Sequence, residues 1–469
     1  MKTNQISRRS FLKTTLATGA VAVVSPMVIP RSVLAAPGRP GANDIVQVGM
    51  VGMGGRGSGI YGPSVKAAAG LKVVSVSEVF RPKLNNFMKN VGGEKDGVRA
   101  YDDYRDMYEK EKLDAVMLET TAHARARATI LAMQAGLHTY IEKPMSLTIA
   151  EGRYMCDAAK KYGVVAQVGS QQRSLPLTMW ACQQIKDGVI GKVRFVEAPN
   201  FVGPWKWEPK EEQPMPEGSK DGWWDLWQDQ AVARPFHGSL YYDWSRWWDY
   251  DGGGLCFGVT GWGTHSFDQI NAAIGTDATG PTEIILDEEP RVEESGKFAP
   301  PNYSDEYTEE DDTGKPYYGM AKVSGPRAKM RMKFDNGVEV RYTLNGDRGP
   351  GLGCIVTGEK GKIEINRHKL SSNPKSLIKD APPNSRDETV YHVENWIDCM
   401  RTGKKCNADI ETGHRGTTLC YLVNIAREVG EVGKPLLWDP KAEKFTNSPE
   451  GNKLLAREQR KGYELPKLV

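Results

Sequence analysis

Residues 45–57 read IVQVGMVGMGGRG, a short apolar and β-branched run that breaks into glycines. Gly52, Gly54 and Gly57 stand at the spacing of the dinucleotide-binding fingerprint. In that fingerprint the first glycine permits a tight turn and the second lets backbone approach a pyrophosphate. The third packs the next helix onto the strand. Gly55 and Arg56 belong to the same turn, where free backbone N–H groups face phosphates. The pattern predicts a buried strand over 45–51 and a helix over 58–69 interrupted at Gly62-Pro63. A second strand over 71–79 carries Glu78, 21 residues past Gly57. An acid at that distance holds the adenosine ribose hydroxyls. Glu78 disfavours a 2′-phosphate and so points to NAD, while Arg56 and Arg81 nearby leave NADP open.

Outward from this block the chain alternates. Strands are expected at 113–118, 138–141 and 164–168, and helices at 101–110, 124–135 and 148–162, several ended by glycine. That βαβ alternation means an N-terminal Rossmann-like, doubly wound parallel sheet over 36–168. Past Gly169 the texture changes. A helix at 177–186 and a strand at 193–199 precede about fifty residues rich in Trp, Pro, Gly and charge. Strands with alternating apolar positions return at 283–286, 328–334, 338–344, 353–358 and 361–366. Hairpins are signalled by Asp335-Asn336-Gly337 and by Glu359-Lys360. Helices at 390–400 and 413–429 complete an α+β second domain over 169–436 with a large, mostly antiparallel sheet. Residues 437–469 read as a charged tail over the surface.

The 469 residues exceed one usual domain, and 39% hydrophobic content suffices for real cores. The first 35 residues hold Lys2, Arg8, Arg9, Lys13 and Arg31 and no acid, and removing them takes the formal net charge from +3 to −2. The remaining chain has no electrostatic case for nucleic acid. Ser7-Arg8-Arg9-Ser10-Phe11-Leu12-Lys13 resembles a twin-arginine export signal. An apolar run over 16–29 and small residues near 33–35 follow it. That run is short for a membrane span, so the expectation is a periplasmic or otherwise exported protein with no stable span after processing. The seven cysteines show no CxxC and no zinc spacing, which leaves buried free thiols as the expectation, with a Cys399–Cys406 bridge open.

Three blocks, GMGGRG at 52–57, YIEKP at 140–144 and GGGLCFGVTGWGTHSFD at 252–268, resemble the glucose–fructose oxidoreductase/inositol dehydrogenase (Gfo/Idh/MocA) family. The resemblance spans roughly 45–430. It implies hydride exchange between a nicotinamide and a sugar or polyol. It places Glu142 and Lys143 at the nicotinamide end of the cofactor, with Lys143 also on the reacting hydroxyl. His265 would be the general acid/base, with Asp268 in the same block. Thr120, Thr121 and His123 would contact the cofactor after strand 113–118, and Gln171 would do so after 164–168. The chemistry fits: hydride leaves carbon as the hydroxyl proton is removed, which needs a base poised near neutrality and a cation against the developing alkoxide. Two positions depart from the family. Gly261 stands where inositol-dehydrogenase-like members carry Asp, leaving Asp249 or Asp268 to substitute. Arg125 replaces the second of two histidines.

Nine of the twelve tryptophans fall between Trp205 and Trp262. Flat faces with a polar N–H suit the C–H faces of a small-molecule carbohydrate. Trp247, Trp248 and Trp262 are the candidates by nearness to His265, with Arg173, Arg246 and Asp249 as polar contacts. Tyr391, His392 and Asn395 begin a helix and are expected as capping or structural residues, a place at the rim being the alternative. The periplasm offers no nicotinamide pool, so the cofactor is expected to be tightly held and regenerated in place. Two turnovers satisfy that: net oxidation of one sugar against reduction of another, or redox-neutral glycoside cleavage through transient oxidation of a ring hydroxyl. A binding protein that keeps a nucleotide as structure is the reading from another class. By analogy, the open face of the second sheet suggests a homo-oligomer.

Overall fold

The computed structural model describes residues 45–469 apart from 67, 69, 255–257, 294–324, 345–351 and 384–387. The twin-arginine segment and Cys256 lie outside the described residues. Six parallel strands form the first sheet: β1 (Val46–Val51), β2 (Leu71–Ser77), β3 (Arg99–Tyr101), β4 (Ala115–Leu118), β5 (His138–Ile141) and β6 (Ala166–Val168). Their order is β3-β2-β1-β4-β5-β6. Every residue of β4 is buried, as a strand covered by helices on both faces must be. The direction of winding reverses between β1 and β4, and such a switch point opens a crevice at the carboxyl ends of the strands.

The first helix, α1, is shorter than expected. It spans Gly55–Ile60 and widens into a π-turn over Tyr61–Val65. Gly62-Pro63 falls inside that widened turn, where proline removes one backbone donor from the regular ladder. The sheet's other connections carry α2 (Arg81–Asn86), α3 (Tyr104–Lys110), α4 (Arg125–Gln134) and α5 (Ile149–Tyr162). Thr148 caps α5 by accepting from Glu151 N at 3.1 Å, and Gly163 ends it in the left-handed region, as both residue types favour.

After α6 (Pro176–Lys186) comes a nine-stranded sheet. It contains β7 (Val193–Pro199), β8 (Pro281–Leu286), β11 (Met330–Phe334), β12 (Glu339–Leu344), β13 (Gly353–Gly358), β14 (Lys362–Asn366), β15 (Lys369–Asn373), β16 (Pro435–Asp439) and β17 (Lys444–Phe445). A separate two-stranded ribbon pairs β9 (Arg291–Glu293) with β10 (Gly325–Arg327). Only the β7–β12 pairing of the large sheet is parallel among the described strands. Gly337, at φ +82°, closes the β11–β12 hairpin. Between β7 and β8 lie α7 (Trp223–Gln228), α8 (Gly238–Tyr242) and α9 (Trp262–Ile274). Phe267 and Ile270 of α9 join Leu419 and Cys420 of α11 (Ile410–Val429) over Met332 and Val340 of the sheet.

Two elements sit differently from expectation. The helix expected at 390–400 is α10 (Glu388–Thr402), and its Val393, Trp396 and Ile397 pack into the core of the first sheet. The 436/437 boundary falls inside β16, because Leu436 and Trp438 alternate inward and Phe445 joins them. After α12 (Pro449–Lys453) the chain does run over the surface, with Pro466 O accepting from Tyr154 of α5 at 3.1 Å. Both sheets belong to one unit spanning Val46–Val469. The cysteines 156, 182, 354, 399, 406 and 420 are all free and buried.

Candidate active site

A cleft of about 550 Å³ opens at the carboxyl ends of β1, β2, β4 and β5. Its floor is the glycine turn. Gly52 has φ +91°, and a Cβ there would lie 2.8 Å from the Glu119 carbonyl. A Cβ on Gly57 would lie 2.1 Å from Gly52 O. Both positions are therefore closed to any side chain, for the turn and the close packing named above. At Gly54 an added Cβ would meet only Lys83 Nζ, at 3.9 Å, and at Gly55 nothing within 4 Å, so these two border open cleft.

Glu78 stands at the rim of this floor. Its carboxylate accepts from Met53 N and Phe80 N, each at 2.9 Å, which ties β2 to the glycine turn. Burial pushes the carboxyl up, opposed by Lys83. At the other end, Glu142 accepts from Arg56 Nε at 3.1 Å and from Gln171 Nε2 at 3.4 Å. Lys143 Nζ donates to Gly261 O at 3.1 Å, so the residue in place of the family's Asp holds the lysine through its carbonyl. His265, in the first turn of α9, lines the same cleft, and its Nδ1 has no protein partner. Burial and then the Lys143 charge hold it well below the ordinary histidine range. It is a neutral base at neutral pH.

Thr120, Thr121 and Trp262 also line the cleft, as do Trp227 and Trp244 of the tryptophan-rich stretch and residues the sequence did not single out, among them Glu119, Lys83, Arg367 and Glu388. Glu119 was readable as an acid closing an apolar strand. Arg367 and Glu388 had no local signal, because their ion pair (2.6 Å) joins the β14–β15 turn to the start of α10. Arg125 donates to the carbonyls of Thr120 and Pro144, stapling two turns that line the cleft.

Seven expected contacts lie elsewhere. Asp268 binds Arg173 Nε with both carboxylate oxygens, at 2.9 and 2.7 Å, and Arg173 reaches on to Asp277. Both are buried and neither lines the cleft. Three residues past His265, the helix has turned Asp268 toward the Gln171–Ser174 turn. His123 packs edge-on against Trp227 and Tyr250, with Nε2 2.8 Å from Trp227 O, and burial lowers it to about 4. Arg246, Trp247, Trp248 and Asp249 also miss the cleft lining. Their backbone pairs with Trp205, through N–H bonds of 2.8 Å in each direction. Trp247 thereby enters an aromatic cluster, Trp248 lies under the Arg457 guanidinium, and Asp249 pairs with Arg234. Asp249 and Asp268, the two acids considered for the place of the Asp missing at 261, are both paired with arginines outside the cleft lining. His392, expected as a structural residue with the rim as the alternative, is buried and structural, bonded to Ser174 Oγ at 2.7 Å and Val168 O at 2.9 Å.

The segment 200–250 forms a roof over the Glu78 end of the cleft. Leu226, Trp227 and Asp229 line the cleft from it, and Phe80 at the end of β2 packs on Trp223 and Tyr241. The C-terminal stretch clasps the roof. Arg460 donates to Asp225 O at 2.7 Å and to Asp229 O at 2.9 Å.

Two family models match this architecture: the oxidoreductase family's NAD-binding Rossmann fold over residues 46–170, and its C-terminal alpha/beta domain over 320–465. The chain belongs to the Gfo/Idh/MocA oxidoreductase family. A twin-arginine translocation signal matches residues 5–25. The inositol 2-dehydrogenase/D-chiro-inositol 3-dehydrogenase of Lactiplantibacillus plantarum is 28% identical over 149 residues, 32% of this chain and 42% of that protein. A glycosyl hydrolase family 109 protein of Shewanella baltica is 23% identical over 224 residues, 44% of this chain and 48% of that one. The matches thus span less than half the length of these curated relatives. Among solved structures, the aldose-aldose oxidoreductase from Caulobacter crescentus complexed with glycerol has a TM-score of 0.54 at 17% identity, covering 82% of this chain and 98% of that one. An Agrobacterium radiobacter oxidoreductase in complex with NAD+, L-tartaric acid and magnesium has a TM-score of 0.52 at 13% identity, covering 82% and 97%. At these identities the structures show the shared fold. Among the described residues no helix is long and apolar enough to cross a membrane.

The cleft suits the family's NAD. Its floor is open at Gly54 and Gly55, and Glu119, Thr120 and His265 turn buried polar atoms without protein partners along it.

Proposed function

We propose that this protein is an exported oxidoreductase acting on a CH–OH group of a sugar or sugar derivative, with NAD kept tightly bound. The observation that carries the proposal is the company of His265. A neutral imidazole with an unpartnered Nδ1 shares one cleft with the Lys143 ammonium and the glycine turn. When bound, the nicotinamide supplies a two-electron acceptor.

The chain's own residues do the rest. Gly52, Gly54, Gly55 and Gly57 cradle the pyrophosphate, and Glu78 stands at the ribose end, where it favours NAD. Arg56, Thr120, Thr121, Glu142 and Gln171 hold the nicotinamide end. His265 takes the hydroxyl proton, and Lys143 stabilises the oxygen's developing negative charge. Trp262 offers a face to the sugar ring. The roof of Leu226, Trp227 and Trp244 excludes water and slows cofactor loss, which suits a protein exported away from the nicotinamide pool.

Redox-neutral glycoside cleavage is the second reading. The 224-residue match to the family 109 glycosyl hydrolase favours it, because a retained cofactor serves both schemes. One experiment separates them. Protein purified without added nucleotide is denatured to identify any released dinucleotide and its redox state, and the intact protein is incubated with a panel of glycosides. NADH build-up relieved by an added keto-sugar supports the oxidoreductase. Released aglycone with no net NADH supports the second reading. Absence of bound dinucleotide overturns the retained cofactor.

A further inference from the structure

Glu119 closes β4 at the switch point of the first sheet. It is 8% exposed and lines the cleft, and neither carboxyl oxygen has a hydrogen-bond partner in the protein. The other two acids of the β-strand ends are engaged: Glu78 by two backbone N–H groups, Glu142 by Arg56 and Gln171. A buried carboxyl left without partners is costly, so an orphan at a cleft wall points to a partner that arrives with the ligand. Its place in the cleft is defined. The Glu119 backbone lies under Gly52, and its Cβ would be 3.4 Å from a Cβ on Gly57. The side chain therefore rises beside the start of α1, between the glycine turn and the Glu142-Lys143 turn.

We propose that Glu119 is a cofactor-binding residue whose carboxyl donates a hydrogen bond to a phosphate or ribose oxygen of the bound dinucleotide. The proposal rests on the dinucleotide reading of this cleft. The charged groups around Glu119 are Glu142 after β5, Arg56 of α1 and Arg125 of α4. Arg56 is already bonded to Glu142, and Arg125 to the carbonyls of Thr120 and Pro144. Burial, and then the Glu142 carboxylate, push the Glu119 carboxyl up. The acid is thus neutral when it donates. Ionised, it would set a second negative charge beside Glu142 and against the phosphates. Retention of the dinucleotide then weakens as pH rises through the Glu119 titration, because the bound state keeps a proton that the free state releases.

Wild-type pH dependence alone does not assign the effect, since Glu78, Lys83 and His265 line the same cleft. Glu119→Gln does, because it keeps a donor and cannot ionise. The probe is NAD, titrated from about pH 6 to about pH 9 into stripped wild type, Glu119→Gln and Glu119→Ala. Binding is followed by quenching of Trp227, Trp244 and Trp262, and by the NAD that stays bound through gel filtration. The expected wild-type affinity falls about tenfold or more at the alkaline end. Glu119→Gln should bind within about threefold of wild type at the acidic end and stay flat, while Glu119→Ala should lose about tenfold throughout. A Glu119→Gln profile that follows wild type, a flat wild-type profile, or wild-type affinity in Glu119→Ala overturns the proposal. If Glu119→Ala fails to fold, the Glu119→Gln profile decides. NAD that fails to bind wild type at any pH overturns the dinucleotide reading itself.

Discussion

At the scale of single residues, Lys143 and His265 carry the proposed chemistry and can be tested separately. Lys143→Ala should keep the fold and most NAD binding while lowering kcat by at least about 10²-fold, the scale of a lost group at a developing charge. Activity near wild type would remove the lysine from the mechanism. His265 is held below the ordinary histidine value by burial and by Lys143. As a base it stays competent in mild acid, so the acidic fall in kcat/KM should lie below about pH 6.5, the free histidine value. A fall centred at or above that value would contradict a buried neutral base. Gly52, Gly57 and Glu78 were legible because backbone sterics and motif spacing act over short stretches of chain, and Glu142, Lys143 and His265 because two short blocks resemble the family's motifs. Asp268 and Arg173 were not, since a buried ion pair is chosen by what lies opposite in space: they are 95 positions apart, yet bonded.

At the scale of elements, α10 showed in the sequence as a helix of the second domain, but not that its apolar face would meet the first sheet. It closes the first sheet through Trp396 and is pinned to β6 by His392, whose Nε2 bonds Val168 O at 2.9 Å. Burial lowers His392 to about 4 against an ordinary value of 6.5. A depressed folded value means that the unfolded chain takes the proton first as pH falls. The His392 contribution is therefore present above pH 6.5 and lost as pH falls through about 4, a span worth roughly 3 kcal/mol. His392→Gln should destabilise the protein at neutral pH, and the Tm difference from wild type should shrink toward about pH 4.5. A difference constant with pH would mean that the histidine docks this helix by shape alone. The glycine turn gives a second test. Gly57→Ala puts a Cβ 2.1 Å from Gly52 O, so α1 must move off β1, and both Tm and NAD affinity should fall together. Unchanged affinity would detach the turn from the cofactor.

At the scale of the whole molecule, the roof over the cleft is held by the far end of the chain. Arg460 donates to Asp225 and to the Asp229 carbonyl, across 235 and 231 positions. Arg460→Ala should speed NAD dissociation by about tenfold, as loss of one partner of a largely buried, hydrogen-bonded charge acts on the off-rate. Dilution of NAD-loaded protein into a dehydrogenase trap measures it, and an unchanged off-rate would mean that the roof closes without its clasp. No stretch of sequence announces such a contact. Periodicity and glycine spacing, being local, determined the parallel first sheet, the antiparallel hairpins of the second one and the glycine turn by themselves, while the Glu142-Lys143 block was legible through its resemblance to the family motif. Only the tertiary structure decided which tryptophans roof the cleft, which sheet receives α10, and which acids are spent on arginines while Glu119 is left facing the cleft. Those choices follow from desolvation: a charge or aromatic face taken out of water settles on whatever distant segment satisfies it, and sequence distance does not enter.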